Sequence, residues 1–399
     1  MKERALYLVE RTLNSMNFQE IKSAEDRFQL ETYKKMGIAV ESGKGSYIWT
    51  EDGTKYLDLY GGHAVCGTGH SHPKVVAAIC EQAGKVLFYS NLVYSGVRAK
   101  AAEKLVSISP DTLSRAFFCN SGTEANENAM RIARMATGRS KIISFNGGFH
   151  GRTADSISAT FLGRYREIGK PNVPDHVAAD FGDIESVRSL AGSDTAAIIL
   201  EPIQSMAGIK EASPQFFVDL RNLCDRLGIV LIFDEVQTGI GRTGHWFFSA
   251  SPFAGGIQPD IITLAKSLGS GIPVGACLVN ESVSDPIRAN DLGTTFGGGM
   301  IAMAAVLATL ETIEEENMLA NAVRVEQAFR SAIAGHQIHG KGCLLGIRFD
   351  EGAADAHAEL LSQRIITGTS SDPQVLRLLP PLNLGSDDVD LSITALNRL

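Results

Sequence analysis

Between Arg115 and Asn280 the chain repeats one unit: a short apolar run, a polar glycine-containing turn, and then an amphipathic stretch. Apolar runs this short, without polar alternation, are strands covered on both faces. Such coverage comes from parallel strands joined by crossover helices. Six runs qualify, at 115–119, 141–145, 196–200, 229–234, 260–265 and 274–279. Between the first two, residues 122–136 place Ala129, Ile132, Ala133 and Ala136 at helical spacing. An α/β fold with a mostly parallel sheet is therefore expected, as a large domain over 61–300. After Met300 the run IAMAAVLATLETIEEEN reads as a long helix leaving that domain, and 301–399 as a smaller mixed α/β unit. Residues 1–60 are expected to pack with that unit, GKGSYIWTEDGTKYLDL forming a hairpin that turns at WTEDGTKY.

Composition narrows the function classes. With 37 basic against 45 acidic residues and a net charge of −8, the 399-residue chain has no basic patch for a phosphate backbone, so nucleic acid is not expected as a partner. No apolar stretch approaches 18 residues, and Glu3, Arg4, Glu10 and Arg11 interrupt the N-terminus, so neither a membrane span nor a signal peptide is expected. Six cysteines without a CxxC pair suggest reduced thiols in a cytoplasm and no metal site, and His70 and His72 read as structural.

Three motifs carry chemistry. In 120-NSGTEANEN-128 a turn joins an apolar strand to a helix start, where unpaired N–H groups and the positive dipole end suit an anion on Ser121, Gly122 and Thr123. An ordinary N-cap by Asn120 or Ser121 is the plainer alternative. In 231-LIFDEVQTGIGRTG-244 an acidic pair ends a strand, where α/β sheets bind ligands, although it could equally be an N-cap for the next segment. In 260-DIITLAKSLGSGIPVGA-276, Lys266 ends another strand; partial burial favours the neutral amine that attacks an aldehyde, while a snorkelling lysine is the alternative. Together, an anion cradle, an acid and an amine on one sheet edge are what pyridoxal phosphate requires.

The chain resembles the class III, fold-type-I pyridoxal phosphate aminotransferases, in their acetylornithine and ornithine branch. The resemblance runs through GSYIWTEDGTKYLDL, HAVCGTGHSHP, FNGGFHGRT, EPIQ, GTTFGG, GKGCLLGIRFD and VLRLLPPL besides the three motifs. It implies that Lys266 is the Schiff-base lysine and proton shuttle, that Asp234 pairs with the ring nitrogen, that Gln237 contacts the ring hydroxyl and that Phe149 lies on the ring face. It further implies that Ser121, Gly122 and Thr123 hold the phosphate, with Thr295 beside Thr294 reaching in from the partner of a homodimer. Arg152 would take a distal carboxylate and Arg377 the α-carboxylate of glutamate. His150 is a supporting candidate.

The sequence departs from the family pattern in three places. After EPIQ the family glutamate that neutralises the α-carboxylate arginine is Met206, leaving Arg377 free or paired with another group such as Glu201. His63 stands where relatives carry Tyr or an aliphatic residue; it could contact a substrate carboxylate as a cation or donor, or be structural. In 291-DLGTTFGGGM-300, Leu292 and Gly299 replace a His and an Asn. The resemblance implies transfer of an ω-amine, N-acetylornithine first among the donors, to 2-oxoglutarate. Other ω-amines and a glutamate-semialdehyde-type aminomutase are alternatives. A nucleotide-binding α/β protein lacks its fingerprints, since no GxGxxG opens a βαβ unit and no P-loop GxxxxGK[ST] is present.

Overall fold

The computed structural model describes residues 16–168 and 170–399. The stretch bearing on a signal peptide, 1–15, lies outside the described residues. The centre is a seven-stranded sheet of β1 (Leu113–Cys119), β2 (Lys141–Phe145), β3 (His176–Ala179), β4 (Thr195–Leu200), β5 (Val230–Asp234), β6 (Ile261–Leu264) and β7 (Gly275–Asn280), ordered β1-β7-β6-β5-β4-β2-β3. β7 runs antiparallel to both its neighbours and every other pair is parallel. Consequently β1, β5 and β6 all end on the edge where β7 begins. β3 has no counterpart among the expected strands, because HVAA is short and its His176 gives no apolar run.

The helix Gly122–Thr137 covers one face, seating Ala125, Ala129, Ile132 and Ala133 on Ile142, Ala197, Ile199, Ile232 and Ile261. Alanine on the inner stripe lets the helix axis lie close to the sheet, and each buried isoleucine contributes about 1.5–3 kcal/mol. The helix ends at Gly138, whose φ of 66° makes the left-handed cap. On the other face, Phe217 and Leu220 of the helix Pro214–Leu227 join Ile198, Leu231 and Phe233 in the main core.

The chain ends interlock. Strands Val40–Lys44, Tyr47–Thr50 and Lys55–Asp58 form an antiparallel meander around the expected turn, and Ile365–Ile366 joins it parallel to Lys55–Asp58. The helix Met300–Glu315 follows the last strand of the central sheet. Its surface is apolar nearly all round, so it is buried against the helices Pro73–Lys85 and Gly96–Ser107. Among the described residues, no helix is long and apolar enough to cross a membrane.

One local feature positions the site. Gly61, Gly62, His63 and Ala64 have φ of 55°, 59°, 72° and 61°, a single left-handed turn. Such backbone costs about 1–2 kcal/mol for each residue with a Cβ, so something must hold it. Asp58 does: its carboxylate accepts the N–H groups of Tyr60, Gly61 and Gly62 at 2.8–3.0 Å and faces His70 Nε2 at 2.8 Å. Glycine is required at position 61, where a Cβ would stand 2.7 Å from the Leu379 carbonyl oxygen.

Candidate active site

A cavity of about 750 Å³ opens on the sheet edge where β1, β5 and β6 end. Ser121, Gly122 and Thr123 line it from the helix start. Ser121 caps that helix, its Oγ accepting the Glu124 N–H at 3.2 Å. At the first two helical positions Gly122 and Thr123 have no intrahelical acceptor, so their amides are available to an anion. A Cβ on Gly122 would press on both Val236 methyls at 2.9 Å, which is why the turn approaches the cavity floor only with glycine there. Thr123 Oγ1 lies between the hydroxyls of Thr153 and Ser156, at 2.8 and 2.6 Å.

Asp234 ends β5 with its side chain only 3% exposed. Its Oδ2 accepts from Asn126 Nδ2 at 2.7 Å and lies 2.8 Å from His150 Nδ1, while Oδ1 accepts the Val236 N–H at 3.1 Å. Asn126 is fixed in turn by Thr263 Oγ1, which donates to its Oδ1 at 2.6 Å. A polar residue such as Asn126 at a buried helix position carries no periodic signal; its only clue in the sequence is its place within NSGTEANEN. Glu235, the second acid of the pair, points away and accepts the Phe248 and Ser249 N–H groups at 2.5 and 2.9 Å.

Lys266 follows β6 with φ 45°, a left-handed turn that directs its side chain into the cavity. Burial pulls its amine down to about 8, against the opposing pull of Asp234 and Glu201. Glu201 accepts the Phe149 N–H at 2.8 Å; burial, and then the Asp234 charge, push its carboxyl up to about 7. Gln237 lines the same wall and its buried Nε2 has no acceptor among the described residues, a donor aimed at whatever fills the site. Phe149 and Val236 line it as well, giving an apolar plate and a branched aliphatic floor.

The remaining candidates divide. Arg152 lines the cavity and donates to Tyr33 Oη at 2.6 Å; Tyr33 lies in a stretch without periodicity, where nothing in the sequence marks it. Arg377 is 1% exposed and does not line the cavity. It donates through Nε to the Thr369 carbonyl at 2.7 Å, through Nη1 to Ser205 Oγ at 3.1 Å and through Nη2 to Tyr60 Oη at 2.7 Å. The expected alternative partner Glu201 makes no hydrogen bond to it among the described residues. Neutral groups hold this guanidinium, and one N–H on each terminal nitrogen is left over. His63 lines the cavity, where desolvation and then the charges of Lys266, Arg377 and Arg152 lower its ring from the ordinary histidine range. Thr294 and Thr295 do not line this chain's cavity: Thr294 Oγ1 accepts from Asn120 Nδ2 at 2.9 Å and Thr295 is exposed.

A strand-end amine facing a buried carboxylate, above a helix start with free amides, is the arrangement of the pyridoxal phosphate transferases, and the unpartnered Gln237 and the glycine-lined turn fit that cofactor. The class-III aminotransferase family profile matches residues 29–399. The chain is 39% identical to the acetylornithine aminotransferase of Methanopyrus kandleri, across 93% of this chain and 96% of that one. It is also 39% identical to the acetylornithine aminotransferase of Archaeoglobus fulgidus, across 92% and 97%. Among solved structures, the ornithine aminotransferase of Toxoplasma gondii superposes with a TM-score of 0.90 at 25% identity, covering 98% and 96% of the two chains. The acetylornithine aminotransferase of Elizabethkingia anophelis gives 0.85 at 27%, covering 96% and 99%. The chain belongs to the class-III aminotransferases, enzymes that use pyridoxal phosphate.

Proposed function

We propose that this enzyme takes the terminal amine from an ω-amino acid, N-acetylornithine first among candidates, and passes it to 2-oxoglutarate, yielding a semialdehyde and glutamate. The observation that carries the reading is Lys266, its amine shifted towards the neutral form in a cavity where it shares a wall with Asp234 and Glu201. The name shared by the relatives at 39% identity supports the donor.

Pyridoxal phosphate, when bound, supplies an electron-withdrawing ring that lets a C–H bond beside nitrogen break. Ser121, Gly122 and Thr123 would hold its phosphate, Asp234 would keep the ring nitrogen charged, Gln237 would donate to the ring hydroxyl and Phe149 would cover one face. Lys266 would carry the cofactor and then, as a free amine, move a proton. Arg152 would orient the donor's distal carboxylate, with Tyr33 holding its guanidinium. Asn126 and His150 would keep Asp234 oriented by hydrogen bonding.

The enzyme would act as a cytoplasmic homodimer built from units 1–60, 61–300 and 301–399, with Thr295 completing the partner's site. Leu87, Leu92, Tyr94 and Phe296 are exposed apolar residues, with Leu92 at 91%, and Phe296 adjoins Thr295. Donor assays with 2-oxoglutarate, comparing N-acetylornithine, ornithine, 4-aminobutyrate and putrescine, test the substrate. Borohydride reduction followed by peptide mapping should label Lys266, and label on any other lysine would overturn the assignment.

A further inference from the structure

We propose that Arg98 is a positioning residue for the neighbouring subunit: its guanidinium staples the loop that carries Thr295 into one fixed shape, so that Thr295 reaches a partner's cofactor phosphate already set. The inference rests on the reading of Thr295 as a residue that completes the partner's site.

Left to itself this loop would be loose. It ends in three consecutive glycines, Gly297 to Gly299, the last standing where the family carries Asn. The structure holds it from both ends. Ahead of Thr295, the Thr294 hydroxyl accepts from Asn120 Nδ2 at 2.9 Å, which ties the loop to this chain's own cofactor turn. Behind it, the Gly299 N–H closes a turn on the Phe296 carbonyl at 3.0 Å. Two side chains clasp the carbonyls within that turn: Arg98 Nε donates to Gly298 and Asn91 Nδ2 to Gly297, each at 2.8 Å.

Arg98 also grips the segment on the other side. Its Nη1 donates to the Val93 carbonyl at 2.9 Å, and its Nη2 to the carbonyls of Tyr89 and Ser90 at 3.3 and 3.4 Å. All four acceptors are backbone carbonyls, and among the described residues no carboxylate pairs with this guanidinium. A rigid planar fork spread over four carbonyls fixes how two loops lie against each other. Phe88 reinforces it: its ring lies 5.0 Å from that of Phe296 and fills the room a side chain at 299 would need, a Cβ there standing 3.2 Å from Phe88 Cδ2. Between these fixed points Thr295 is exposed, and its hydroxyl makes no hydrogen bond among the described residues. Such preorganisation removes the cost of ordering the loop from phosphate binding.

Mixed dimers test this, because on this reading Lys266 and Thr295 of one site come from different chains. With two affinity tags, a chain carrying Arg98→Ala is paired with a chain carrying Lys266→Ala. The Kd for pyridoxal phosphate is read from the absorbance of lysine-bound cofactor, which only the lysine-bearing site gives. The Arg98→Ala homodimer should bind about tenfold more weakly than wild type, the worth of about one hydrogen bond. In the mixed dimer the lysine-bearing site meets an intact staple on its partner, and its affinity should return to within about twofold of wild type. Pairing wild type with a chain that carries both substitutions should keep the loss of about tenfold. A loss that stays with the Arg98→Ala chain's own lysine, or no loss in the homodimer, overturns the staple. Where Arg98→Ala does not fold, Asn91→Ala removes the other side-chain stitch and should cost about threefold in the same pairs. Thr295→Ala separates the two readings. If it leaves the Kd unchanged, the shared site is wrong; if its loss falls on the partner's lysine while that of Arg98→Ala does not, only the staple fails.

Discussion

Lys266 is at once the most exposed to test and the most constrained residue of the site. Its amine is held down to about 8 from 10.5 chiefly by burial, so the apoenzyme should take up pyridoxal phosphate with a pH midpoint nearer 8 than 10.5, as rapid-mixing absorbance would show. A midpoint at the ordinary lysine value would mean that the amine is solvated before the cofactor arrives. Removing it altogether, as in Lys266→Ala, should lower turnover by about 10²–10⁴-fold, the usual worth of a positioned proton-transfer group, with larger losses if cofactor attachment also fails. Met206 makes the opposite kind of test. A carboxylate introduced by Met206→Glu would stand beside Ser205, near the neutral cradle of Arg377. It should depress the rate with glutamate relative to N-acetylornithine, and equal rates before and after would show that charge at this position does not govern the choice of amine.

At the scale of elements, the cofactor turn depends on a strand running the other way. β7 starts at Gly275 against the turn, and a Cβ there would lie 2.8 Å from the Ser121 carbonyl carbon and 2.9 Å from Cys119 Sγ. Gly275→Ala should therefore displace the helix start and raise the cofactor Kd by about tenfold or more, an effect of about 1.4 kcal/mol readable by equilibrium dialysis. The left-handed turn carries a pH signature. Burial opposes protonation of His70, but the Asp58 carboxylate, helped by the Cys66 sulfur, outweighs it and raises the ring from 6.5 to about 10. A raised histidine stabilises the fold in full below pH 6.5 and ceases to as the pH climbs towards 10. The Tm of His70→Gln should thus fall furthest below wild type in mild acid and converge on it in alkali; a gap independent of pH would mean that the ion pair plays no part. Sequence legibility obeys the same physics. β5 and β6 are plain in the sequence because fully buried parallel strands are uninterrupted apolar runs, and Lys266 and Asp234 are conspicuous as charges ending them. β3 has no such run. Tyr33 and Asn126 act through position and not through pattern, and the burial of Arg377 arises from Tyr60 and Ser205, 317 and 172 residues away along the chain.

For the whole molecule, the exposed apolar side chains of Leu87, Leu92, Tyr94 and Phe296 are where assembly would be decided. Sedimentation should find a dimer, and Leu92→Asp should yield monomers that lose activity in step with dissociation. Monomers with full turnover would dismiss the notion that Thr295 serves a neighbour's site. The interlocked ends carry a further consequence, for synthesis. Ile366 donates no support to the meander until residue 366 exists, Leu59 waits for the amide of Leu379, and Gly67 for that of Leu382. A polypeptide emerging from the ribosome can thus lay down its central sheet early yet leave the segment around 57–67 unsupported until residues 366–382 have been made, so a chain stopped before residue 366 is expected to be folded in the middle and chemically silent.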